Sequence, residues 1–169
     1  MSRRPAGPPV CVAGLAFLLA SALAACQNEH AALGVSVVPP PQATVRFSSV
    51  WQILVEKGCT NCHGGSAVSA HMNLEKIFDR ATRDPAGFNV GAVAVLSCEA
   101  PLLYRIAPFD GDGSYLIMKL KNTQATANCV SCAGWTIGAS CGSMMPPSGS
   151  ISDAIEIIHT WIDQGAQDN

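Results

Sequence analysis

Cys59-Thr60-Asn61-Cys62-His63 is the stretch that most restricts what this chain can fold into. C-x-x-C-H is the attachment pattern of a covalent haem: two thiols at this spacing add to two vinyl groups, and the histidine after the second is placed to bind iron from one face. A thioredoxin-like dithiol, a zinc ligand pair and a plain disulfide use similar spacings. A thioredoxin motif, however, opens a helix after a strand, whereas this one closes a helix. That helix is read from Phe47, Val50, Trp51, Leu54 and Val55, apolar positions at helical spacing after Thr44 that stop at Gly58. One motif implies one haem c.

Composition narrows the setting. Of 169 residues, 49% are hydrophobic and 13% charged, which excludes a disordered, acidic or basic tail protein. The formal net charge of −2 offers no polycationic surface, so no nucleic-acid partner is expected. Part of the apolar excess lies at the N-terminus, where Ser2-Arg3-Arg4 precedes an uncharged run from Val10 to Ala25. Residues 1–25 read as a signal peptide. Leu23-Ala24-Ala25-Cys26 resembles the bacterial lipobox, which implies lipidation of Cys26 and a lipoprotein on the periplasmic side of a bacterial membrane. Gln27 after the cysteine leans toward the outer membrane. No later stretch approaches the ~20 apolar residues of a spanning helix. Loss of the signal removes Arg3 and Arg4 from ten basic residues and none from twelve acidic ones, leaving a net charge of −4. Six cysteines beyond Cys26 then face an oxidising compartment.

Residues 26–43 contain Val38-Pro39-Pro40-Pro41 and no helical period, as expected of an extended tether, and residues 44–169 form the domain. A second helix-like stretch covers Leu74 to Arg80, followed by the breakers Pro85, Gly87 and Gly91 and the apolar run Val93 to Leu96. Pro108 to Ser114 is a turn cluster, with Ser114 expected to cap a short helix through Tyr115, Leu116, Met118, Leu120 and Lys121. Residues 122–150 make a long Gly-, Ser-, Cys- and Pro-rich loop of a length that is usually functional. Ser152 is expected to cap a last helix, with the apolar stripe Ile151, Ile155, Ile158 and Ile162, ending near Gly165.

A covalent haem needs a second axial ligand or an open iron. Met144-Met145-Pro146-Pro147 lies in the loop where the chain could return to the far side of the haem, and a thioether is a soft ligand that raises haem potential. Met145, next to Pro146, is the preferred ligand and Met144 the alternative. His30 falls in the tether, and His71 and His159 read as surface histidines. Asp110-Gly-Asp112-Gly-Ser114 begins like a calcium loop but lacks the remaining ligands and the closing Glu, and reads as a turn. No phosphate loop, nucleophile elbow or paired carboxylates suggest catalytic residues.

The succession of helix, C-x-x-C-H, Met72-Asn73-Leu74, Gly111 to Leu120, Met145-Pro146-Pro147 and Trp161 to Ala166 resembles the small bacterial class I c-type cytochromes of planctomycetes and myxobacteria, over about 44–166. The resemblance implies an all-α cytochrome c fold of short helices and long loops wrapped around one covalently attached haem. It implies Met145 as distal ligand, with Tyr115, Leu116 and Trp161 in the haem-side core. Departures are Met144 and an insertion around Cys129 to Gly138. Family members carry cysteines where Cys98 and Cys141 stand, which implies a Cys98–Cys141 disulfide and, by exclusion, Cys129–Cys132. The implied activity is single-electron transfer between transient redox protein partners, not catalysis. The alternatives are a haem peroxidase or gas or redox sensor with a labile distal ligand, and a disulfide-stapled interaction module without haem.

Overall fold

The computed structural model describes residues 43–66, 69–132 and 141–169. The expected signal segment, Cys26, His30 and all of the expected tether but Ala43 lie outside the described residues, as does most of the expected insertion. Helix α1 spans Phe47–Glu56, α2 is the single turn Thr60–His63, α3 is Tyr115–Leu120 and α4 is Ser152–Asp163. Short 3-10 turns occur at Ser69–His71, Leu74–Lys76 and Gln124–Thr126. Extended pairing among the described residues is confined to isolated bridges, such as Val93 with Ile106 and Leu96 with Tyr104. Among the described residues no helix is long and apolar enough to cross a membrane.

Helix α1 buries Val50 and Leu54, one turn apart, and ends in a paired-bond cap. Cys59 N–H donates to the Leu54 carbonyl and Gly58 N–H to the Val55 carbonyl. Gly58 has φ +72°, the left-handed conformation this cap demands and that glycine adopts without a Cβ penalty. Helix α4 ends the same way: Ala166 N–H donates to Trp161 O and Gly165 N–H to Ile162 O, with Gly165 at φ +103°. Both expected glycine stops are therefore present, each two residues beyond the last helical position.

Two expected caps differ from the structure. Ser114 precedes α3, but its hydroxyl accepts from Ala107 N–H and donates to Asp110 O instead of closing the helix. The free N–H groups of Tyr115 and Leu116 are taken up by the carbonyls of Tyr104 and Arg105, so the neighbouring chain does the capping. Ser152 lies inside α4, with Ile151 at the cap position. The helix-like stretch after Leu74 closes as one 3-10 turn, because Ile77 O turns away to accept from Ala92 and Val93.

The core is built where α1 and α4 pack together. Trp161 is 1% exposed, with its ring 5.5 Å from Phe47 and 6.2 Å from Phe78, while Phe47 meets Phe78 edge-on at 4.8 Å. The stripe on α4 is Ala154, Ile158, Trp161 and Ile162, with Ile151 buried just ahead of it and Ile155 half-buried. The side-chain amide of Gln164 accepts from Val45 N–H and donates to Ala43 O, fastening the start of the domain to the end of α4.

Truncating a buried indole removes transfer energy and leaves a cavity. Trp161→Ala is expected to lower stability by about 3–5 kcal/mol, read from urea unfolding; a loss below about 1 kcal/mol would remove the α1–α4 packing from the centre of the fold. Asp79 titrates at about 2, held down by Thr82 and by main-chain donation from Thr82 and Ala81. With a depressed folded value, its contribution is complete above the ordinary Asp value near ~3.9 and is lost as pH falls through about 2. The stability difference between wild type and Asp79→Ala should therefore shrink over that acid range and stay constant above it.

Candidate functional site

The cap of α1 delivers Cys59 directly to the start of α2, and His63 N–H closes that turn on the Cys59 carbonyl at 3.0 Å. Three residues apart around one helical turn, Cys59 and Cys62 lie on neighbouring positions, with His63 next around the turn. Cys59 is half-buried, Cys62 is exposed, and both are free thiols. Burial raises the Cys59 thiol, which is only partly offset by a main-chain hydrogen bond. Asn73 braces this turn: it is buried, donates to Gly65 O at 3.0 Å and accepts from Glu75 N–H.

His63 borders an apolar cavity together with Met72, Tyr115, Leu116 and Met145. Its Nδ1 is buried without a hydrogen-bond partner. Burial lowers the imidazole below its ordinary value, against the opposing pull of the Met72 and Ser69 main chain. The ring is thus neutral at pH 7, the form that ligates metals. Met145 packs against the hydrophobic core, and its N–H donates to Lys119 O at 3.0 Å. The cavity lining includes Met145 and not Met144, and a cis peptide joins Met145 to Pro146.

The donors present suit a haem: a histidine with an unpartnered ring nitrogen and a thioether line one cavity, Cys59 and Cys62 are free on the adjoining turn without lining it, and the wall mixes apolar residues with Ser97, Glu99, Arg105 and Lys119. The cavity is about 70 Å³, below the ~300 Å³ at the lower end of small-molecule pockets, so a porphyrin would enter only with the walls parted. A wider hollow of about 510 Å³ near Phe47, Trp51 and Phe78 contains no Cys, His or Met and shares no lining residue with the cavity.

Charged groups that sequence reasoning passed over also face the cavity. Arg105 is buried, and its guanidinium donates to Asn89 O at 2.7 Å and to Gly91 O. Burial brings it down to about 10, so it stays charged at neutral pH. Lys119 pairs with Glu99 at 3.0 Å, and Tyr115 Oη donates to the same Glu99 oxygen at 2.8 Å. Burial raises the Tyr115 phenol, and Glu99 raises it further, so it remains a donor. Lys119 sits four residues after Tyr115, on one helical face, and this spacing was the available sequence signal.

The disulfides differ from the implied pairing. Cys98 joins Cys132 and Cys129 joins Cys141, in place of Cys98–Cys141 and Cys129–Cys132. Residues 128–131 lack helical structure, and Val130 N–H donates to Glu99 O, laying this stretch alongside 98–99. Three residues along an extended chain span ~10 Å, beyond the ~7 Å that a disulfide tolerates. Of the two pairings this leaves, the chain adopts Cys98 with Cys132 and Cys129 with Cys141, with Cα atoms 5.6 Å and 5.4 Å apart in the two pairs.

His71 is buried rather than on the surface, paired through Nδ1 with Asp84 and stacked on Phe88 at 4.2 Å. His159 bridges Asp112 at 3.1 Å and Asp163 at 2.9 Å. Neither borders the cavity. Asp110 accepts from Gly113 N–H at 2.8 Å, the turn bond expected there.

Mapping of peptides without reduction should recover Cys98 linked to Cys132 and Cys129 linked to Cys141. The Cys129→Ser/Cys141→Ser pair should cost about 3 kcal/mol by loop-closure entropy; a Cys98–Cys141 peptide would restore the other connectivity. Comparison of the chain with known protein families, with curated proteins and with solved structures returned no match.

Proposed function

We propose that the chain is a monohaem c-type cytochrome of cytochrome c fold that carries single electrons at a bacterial membrane surface. The observation that carries this reading is the division of the cysteines: Cys98, Cys129, Cys132 and Cys141 pair, while Cys59 and Cys62 stay free beside a neutral His63 that shares its cavity with Met145. Cys59 and Cys62 would hold the haem through thioether links, and His63 and Met145 would bind its iron. So bound, the haem supplies an iron that passes between ferric and ferrous states.

The protein's own part is to keep the donors in place and exclude water. The α1 cap and the Asn73 brace fix the attachment turn, and Tyr115 and Leu116 supply part of the cavity wall. With His63 and Met145 both committed to the iron, the chain would offer a substrate no position there, which favours electron transfer over catalysis. Partner docking would be weak and brief, because electron-transfer encounters bury little area. A chain of net charge −4 after signal removal suits partners that do not require a lysine-ringed face. Lipidation of Cys26 would hold the domain at the periplasmic side of the membrane, the outer membrane being favoured by Gln27.

Protein produced with c-type maturation machinery should yield one haem per chain in a pyridine haemochrome assay, and Cys59→Ala/Cys62→Ala should abolish covalent attachment. The ferric form should show a sulfur-to-iron charge-transfer band that is lost in Met145→Ala and kept in Met144→Ala. High-spin, five-coordinate iron in the wild type would replace electron transfer with a peroxidase or sensor role. Absence of haem would leave the disulfide-stapled interaction module.

A further inference from the structure

We propose that Lys119 is a positioning residue that holds the Met145 loop against the cavity through both its side chain and its main chain. Lys119 is 7% exposed, unusual for a lysine, and its ammonium group is directed at the segment that leads into Met145. Nζ donates to Cys141 O at 2.7 Å and to Ser143 O at 3.3 Å, and pairs with Glu99 at 3.0 Å. The carbonyl of the same residue accepts from Met145 N–H at 3.0 Å. One residue of α3 therefore grips the loop at 141, 143 and 145.

Other contacts hold parts of this loop but reach less far along it. Gln124 donates to Gly142 O at 3.1 Å, and Tyr115 Oη approaches Cys141 O at 3.4 Å. The Cys129–Cys141 disulfide anchors the near end of the loop, four residues before Met145. Among the described residues, Lys119 alone joins the anchored end to Met145 itself. Charge-assisted hydrogen bonds are the stronger kind, and removing the donor leaves the buried Cys141 carbonyl, the part-buried Ser143 carbonyl and the Glu99 carboxylate each one donor short. The loop would then leave the cavity more readily, and with it the thioether. This inference rests on Met145 as an axial ligand.

The test uses the haem-loaded ferric protein and added imidazole, which competes with methionine for iron and bleaches the sulfur-to-iron band. Lys119→Met keeps an apolar stem and removes the donors; it should bind imidazole about tenfold more tightly than wild type. Lys119→Leu, which also removes the donors and is shorter, should move in the same direction and decides the matter if Lys119→Met fails to take up haem. Lys121→Met, at an exposed position on the same helix end, should stay within about twofold of wild type. Ile158→Ala should lower thermal stability without changing imidazole affinity, which separates positioning from general destabilisation. Wild-type imidazole affinity in Lys119→Leu would overturn the role of the Lys119 side chain. A wild-type protein with haem but no sulfur-to-iron band would overturn Met145 ligation itself, and the proposal with it.

Discussion

The contact of Trp161 with Phe47 and Phe78 joins the two ends of the described domain, and the position of the C-x-x-C-H turn depends on it. Once α1 is held against α4, the direction of α1 determines where its C-terminal cap releases the chain. The cap bond from Cys59 N–H to Leu54 O then leaves Cys59 no freedom relative to the helix. The Lys57–Asp153 ion pair spans the same two helices but is 33% and 73% exposed, and exposed pairs contribute little. Aromatic burial, not surface charge, does the joining.

The cavity wall carries the opposite chemistry. A chain that is only 13% charged places Glu99, Arg105 and Lys119 around one small space. Burying a charge is costly unless each group finds a partner. Here the partners are mostly main-chain carbonyls: Asn89 and Gly91 for Arg105, Cys141 and Ser143 for Lys119. The charges consequently fasten loops that have no regular secondary structure to hold them. This explains how so much irregular chain keeps defined positions around His63 and Met145.

Local features were legible where a single element determines them. The helix before Cys59, the stops at Gly58 and Gly165, the Asp110 turn and the place of Ile158 and Ile162 on the buried face of α4 all follow from spacing and are present, while Ala154 and Trp161, not Ile155, complete that face. Expectations failed where a distant segment supplied the partner. Ser114 reads as a cap from its neighbours alone, yet the 104–105 carbonyls take the helix N–H groups and leave its hydroxyl to the preceding turn. His71 reads as a surface residue, yet Asp84 and Phe88 bury it.

By itself the sequence determined which cysteines stand apart, because C-x-x-C-H is a covalent pattern written in five consecutive residues. It also placed Met145 in a loop that could return to that motif. Only the tertiary structure decided which of the remaining cysteines meet and which methionine borders the cavity with His63. Disulfide partners depend on how the 129–132 stretch lies beside Glu99, a main-chain hydrogen bond that leaves no trace in residue identity. The burial of Lys119 has the same origin, since its acceptors are backbone carbonyls that every residue possesses and only the folded chain brings together.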